Sequence, residues 1–168
     1  MIDALGPAQR MLDFVVAYFD TNGWDLPPRR YLTAGSPMVA AADDAHLLVG
    51  LDRMLPGASD ATSRGGAALS RAAGSVIVPR ADYVIRLMRC IAGVTDDGDI
   101  PSAPVLNADG QRLLRDPGRL LTAVMWWRET ELEALNPNPN VTIGQVDVLG
   151  PMGGLAGHAV RVTIGPVQ

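Results

Sequence analysis

The stretch from Val76 to Ile91 constrains this chain more than any other. Tyr83, Ile85 and Leu87 alternate with Val84, Met88 and Cys90, so a strand here is apolar on both faces. Such a strand belongs in the middle of a sheet, with cover on each side. Helices of one chain that lie together cover one face, and the other then calls for a further helix or another subunit. With 168 residues there is room for a single domain, 1–168, around that strand.

The flanking segments supply the rest of an α+β arrangement. From Met1 to Asp20, Leu5, Ala8, Leu12, Val15 and Phe19 fall on one stripe at three- and four-residue spacing, which predicts an amphipathic helix. Thr21-Asn22-Gly23 stops it, and Pro27-Pro28 forces an extended entry into a short edge strand, Arg29 to Ala34. Ala45 to Leu55 reads as a strand with Leu47, Val49 and Leu51 on one face and Leu48 and Met54 on the other with Asp52. Pro56 to Ser75 is mostly Ala, Gly and Ser, with almost nothing bulky. So long a small-residue loop is uncommon inside a compact domain, and it is expected to reach a neighbouring subunit or a ring lumen rather than pack on its own domain.

After an acidic turn from Thr95 to Pro101, Ser102 or Asn107 caps a long helix. Asp116-Pro117 reads as an N-cap followed by proline, so the helix is expected to kink or restart there before running through Leu120, Val124, Trp127 and Leu132. Asn136-Pro137-Asn138-Pro139 ends it. Two strands close the chain. His158, Val160, Val162 and Ile164 alternate with Ala159, Arg161 and Thr163. In the strand before, Val141 and Ile143 are odd-numbered while Val146 and Val148 are even-numbered, which predicts a bulge near Gly144-Gln145. Gly150 to Gly157 is read as the connection between the two. The expected fold is thus α+β: a mostly antiparallel sheet of four to five strands, packed by an N-terminal helix and a long second helix.

Composition removes several classes of function. A single cysteine, Cys90, excludes a disulfide within the chain. No stretch approaches the roughly 20 apolar residues that span a bilayer, and the amino terminus lacks the pattern of a signal peptide, so a soluble chain without membrane contact is expected. Net charge is −4, the wrong sign for a protein that coats nucleic acid. All fourteen basic residues are arginine, a bias that fits a GC-rich genome.

Catalytic and cofactor patterns are equally thin. The glycines after Val148 lack the lysine and following helix of a phosphate loop. Asp96, Asp97 and Asp99 lack the spacing of a calcium loop and read as a solvated turn. His46 and His158 both begin strands and could meet, but two histidines without a Cys or Asp cluster make a poor metal site. Cys90 beside Met88 and Ile91 is expected to be a small buried hydrophobe rather than a nucleophile. No Gly-x-Ser-x-Gly elbow is present. Arg112, Arg115 and Arg119 share a helical face that Asp109 and Asp116 partly neutralise, which suits a solvated or subunit-facing surface. Trp126 and Trp127 point about 100° apart on a helix, so one is expected in the core and the other at the domain edge or an interface. No enzyme, cofactor or metal is expected.

The order of elements carries a resemblance. An N-terminal helix precedes Arg30-Tyr31-Leu32-Thr33-Ala34-Gly35 and the strand text Leu48-Val49-Gly50-Leu51. The small-residue loop, the strand Val84 to Cys90, the long helix, the segment Leu149 to Gly157 and a Val-Arg-Val-Thr-Ile strand follow. This order resembles the small neck and tail-completion proteins of long-tailed phages infecting actinobacteria, most closely the tail terminators. Met152 departs from the pattern, standing where a charged residue is more usual. The resemblance implies a virion protein without catalytic residues, assembled in the host cytoplasm. It implies a ring of identical subunits, six-fold, that caps the tail tube protein and joins it to the head-to-tail stopper or connector. DNA would pass through the lumen without specific binding. The other readings are a stopper or adaptor of the same neck and, more distantly, a cytoplasmic ligand-binding or enzymatic α+β domain. The candidate assembly contacts are Arg64 and Arg71 in the small-residue loop, Trp126 and Trp127, and Met152, Gly153, Gly154 and Leu155.

Overall fold

The computed structural model describes residues 5–35, 44–55, 80–94, 97–135, 140–152 and 154–165. Its elements in chain order are α1 (Leu5–Thr21), β1 (Arg29–Ala34), β2 (His46–Leu55), β3 (Arg80–Cys90), α2 (Ala103–Leu135), β4 (Asn140–Met152) and β5 (Leu155–Gly165). The strands form one sheet in the order β1-β2-β3-β5-β4. β1 runs parallel to β2, and the other pairings are antiparallel. This is the expected α+β fold, with β3 at the centre and β1 and β4 at the edges. The small-residue loop at 56–75 lies outside the described residues.

Both helices pack on one face. Met11, Leu12, Val15 and Phe19 of α1 and Leu120, Ala123, Val124 and Trp127 of α2 share a core with Leu47, Val49, Ala81, Tyr83, Ile85, Leu87, Val160 and Val162. Leu5, expected on the buried stripe of α1, is instead 66% exposed, and Met11 takes a core place. Gly23, at φ +65°, ends the helix as its sequence predicts. The centre of the opposite face is apolar and buried too, at Leu48, Val84, Met88, Ala159 and Leu155.

Two bulges set the phase of the outer strands. In β4 the register shifts between Ile143 and Val146, which brings Val141, Ile143, Val146 and Val148 onto the helix side opposite Ile164, Val162, Val160 and His158. In β2 an unforeseen shift between Leu51 and Arg53 makes Asp52 the extra residue. Met54 therefore lies on the helix side opposite Ala81 rather than with Leu48, while Arg53 crosses to the other face opposite Asp82.

α2 runs unbroken through Pro117, so the expected restart does not occur. Proline removes the N–H that would bond the carbonyl of Leu113, four residues back. His158 of β5 fills that vacancy: its Nε2–H donates to Leu113 O at 2.8 Å. Asp116 is no N-cap either. It is fully buried and accepts two hydrogen bonds from Arg89, at 2.8 and 3.2 Å.

The glycine-rich connection is shorter than its sequence suggests. Met152 pairs with Leu155, so β4 and β5 run almost to their junction, and Gly154 takes φ +78°. Gly157 sits inside β5 opposite Met88, and a Cβ there would collide with the Leu87 carbonyl and come within 2.9 Å of Met88 Cα. Close backbone approach is the reason for that glycine.

Candidate assembly surfaces

The charged groups of the interior are tied to one another. Arg89, one residue before the end of the central strand, points to the helix side, where burial of a guanidinium is costly unless its donors are used. Beyond Asp116, its Nη1 donates to Asp25 Oδ2 at 3.0 Å and its Nη2 to the Asp25 carbonyl at 2.7 Å. The cluster joins β3, α2 and the chain after α1. Beside it, Arg119 lies over the Trp24 ring at 5.2 Å.

A second cluster sits on the opposite face. Fully buried Asp82 accepts from Arg53 Nε at 2.7 Å, Arg80 Nε at 3.1 Å and Thr163 Oγ1 at 2.7 Å. Burial pushes its carboxyl upward, but the hydrogen bonds from Thr163, Arg53 and Arg80 outweigh that and hold it below the ordinary aspartate value. Arg161 reaches Asp52, the bulge residue, at 3.5 Å.

The residues weighed for chemistry are dispersed. His46 lies on the face opposite the helices and His158 on the helix side, so they do not meet. His46 Nδ1–H donates to the Asp44 carbonyl at 2.9 Å. Cys90 is exposed, not buried as expected, because β3 ends there at the rim. Among the described residues no group of three His, Cys, Asp or Glu side chains could hold a metal ion. Among the same residues no helix is long and apolar enough to cross a membrane.

The surface features lie at the margins of the sheet. Trp127 is 1% exposed in the core, whereas its neighbour Trp126 is 56% exposed, so the pair divides as expected. Leu155 is buried, Gly154 occupies the turn, and Met152 closes β4 opposite Leu155. Arg64, Arg71 and Gly153 lie outside the described residues.

Each edge strand carries a groove that the sequence did not reveal. Beside β1 a cavity of about 240 Å³ is lined by Leu5, Ala8, Leu32, Thr33, Ala34 and Leu51. Beside β4 a larger one, about 430 Å³, lies between Leu121, Met125 and Arg128 of α2 and residues 140–144. The Nε of Arg128 finds no hydrogen-bond partner among the described residues. α2 is about 50 Å long at 1.5 Å per residue, and its outward face carries Leu114, 82% exposed, in line with Leu121 and Met125. The i, i+7, i+11 spacing of those three was present in the sequence.

No family model matches the chain, and no curated protein matches it.

Proposed function

We propose that the chain is a structural, non-enzymatic neck protein of a long-tailed phage, the tail terminator. In this reading it forms a six-fold ring that caps the tail tube and joins it to the head-to-tail connector. The observation that carries the reading is the contrast between a sheet centre buried on both faces and two edge strands that, among the described residues, each have one flank without a partner strand, with an apolar groove beside β1 and a mixed polar and apolar one beside β4. Unfinished surfaces of that kind mark protein contacts. Two different edges that meet between successive subunits make a heterologous contact, which closes into a ring when the rotation allows. The resemblance in element order supplies the virion setting.

Charge is compatible with passage of DNA. Six subunits at −4 carry 6 × −4 = −24, which disfavours adhesion to phosphate in the lumen. Native mass of the chain, alone and with tail-tube protein, tests the reading. A ring-sized species that forms with the tube protein supports it. A chain that stays monomeric in both conditions contradicts it.

A further inference from the structure

We infer that β1 of one copy pairs antiparallel with β4 of the next, so that the five-stranded sheet continues from subunit to subunit. The inference rests on the ring reading above and names its contact.

Strand direction permits it. β1 is parallel to β2, and the three antiparallel steps from β2 through β3 and β5 leave β4 running opposite to β1. Copies related by rotation about an axis along the strands therefore bring β1 against an oppositely directed β4, the more stable type of pairing. The helices of both copies then lie on the same side.

The two edges are also level. Ala34, Leu51, Tyr83, Val162 and Ile143 form one cross-strand row, and Arg30, Leu47, Leu87, His158 and Val148 form another. The β1 groove reaches Ala34 and the β4 groove reaches Ile143, so the grooves end the same row. A level join sets Arg30 opposite Val148 of the next copy, with Thr33 opposite the bulge at Gly144-Gln145. It also brings exposed Leu5 towards Leu121 and Met125. A join without rise closes a ring, and one with rise winds a filament.

Charge selects this pairing over self-pairing of either edge. β1 carries Arg29 and Arg30 and no acid, while β4 carries Asp147 and no base. A level join sets Tyr31 opposite Asp147, with Arg29 two residues along on the same face, one diagonal step from Asp147; in the monomer Arg29 pairs with Asp44 at 2.7 Å. Neither strand has a lysine to defend its edge, the one proline of the pair, Pro151, lies at the hairpin end of β4 beyond the proposed join, and Val148 is 77% exposed on β4.

The test is a cross-link between edges. The full chain carrying Cys90→Ala, Arg30→Cys and Val148→Cys is treated at high concentration with a thiol cross-linker spanning about 8 Å, enough for one diagonal step between strands. The expected result is a ladder of chain multiples on a denaturing gel, lost on Asp147→Arg and regained on adding Arg29→Asp. Cross-linked dimers from Val148→Cys alone would show two-fold β4 pairing and overturn the inference. Rings imaged without a ladder overturn the edge pairing and leave the ring reading standing. A ladder from open filaments keeps the pairing and removes the ring; neither ladder nor ring overturns both.

Discussion

β3 and β4 are strands of similar length in one sheet, and they are built on opposite terms. Eight of the eleven residues of β3 are buried between flanking strands, Arg86 is half-buried, and only Arg80 and Cys90 at its ends are exposed. On β4, Val141 is buried, while Thr142, Gln145, Asp147 and Val148 are exposed and the register slips twice. The centre is closed by apolar packing and by charged groups that satisfy one another. Among the described residues, β1 and β4 each have one flank without a partner strand, beside grooves and exposed apolar side chains such as Val148. A chain that needed only to be a stable monomer would gain by blunting those edges. On the proposed reading, contacts outside the monomer complete those margins.

The largest effect is expected where two backbones touch. Gly157→Ala forces a Cβ into the Leu87 carbonyl, so β3 and β5 must separate, at a cost of about 4 kcal/mol or more. Chemical denaturation checks it, and a stability near that of the parent would mean the centre is less tightly built than described. Asp116→Ala comes next. It leaves Arg89 buried with Asp25 alone, and loss of one partner of a buried pair costs about 3–5 kcal/mol.

Asp82 gives a smaller, pH-dependent effect. Its folded value lies below the unfolded one, so the stability it contributes is present above the ordinary carboxylate range of about 3.9 and is lost as pH falls through the folded value. Asp82→Asn is expected to cost about 1–3 kcal/mol at neutral pH, toward the lower end because Arg53 and Arg80 are half exposed, and to flatten the acid limb of the stability curve. Melts from pH 7 to pH 2 decide it: parallel curves for parent and variant would remove Asp82 as a source of acid sensitivity.

Much of this centre was legible in the sequence, and the margins less so. The two-faced apolar alternation of Tyr83 to Cys90 identifies a middle strand, and the parity change around Gly144 identifies a bulge, because both are local period-two signals. Gly23 and the Trp126/Trp127 split are local in the same sense. What escaped depends on distant partners. Pro117 reads as a helix break until His158, 41 residues on, takes the freed Leu113 carbonyl. Asp116 reads as a cap until Arg89 is seen beside it. The bulge at Asp52 has no parity signal of its own, and it reverses the sides of Arg53 and Met54. The grooves arise from where helices stop short of the sheet edges, which no window of sequence encodes.

The smallest effect on folding is expected at the edge. Val148→Asp changes monomer stability by no more than about 0.5 kcal/mol, since the side chain is already in solvent. It is nevertheless expected to abolish self-association, whereas Thr122→Ser, a substitution on the exposed outer side of α2, leaves association intact. Sedimentation of the two variants sharpens the contrast between a finished centre and an unfinished margin. Equal association of Val148→Asp and the parent would break it.

The most direct measurement of the central claim is electron microscopy of the purified chain added to tail tubes. The account predicts a rotationally symmetric layer, six-fold, seated on one end of the tube and built from this chain alone. Bare tube ends, or this chain bound without rotational symmetry, would contradict it.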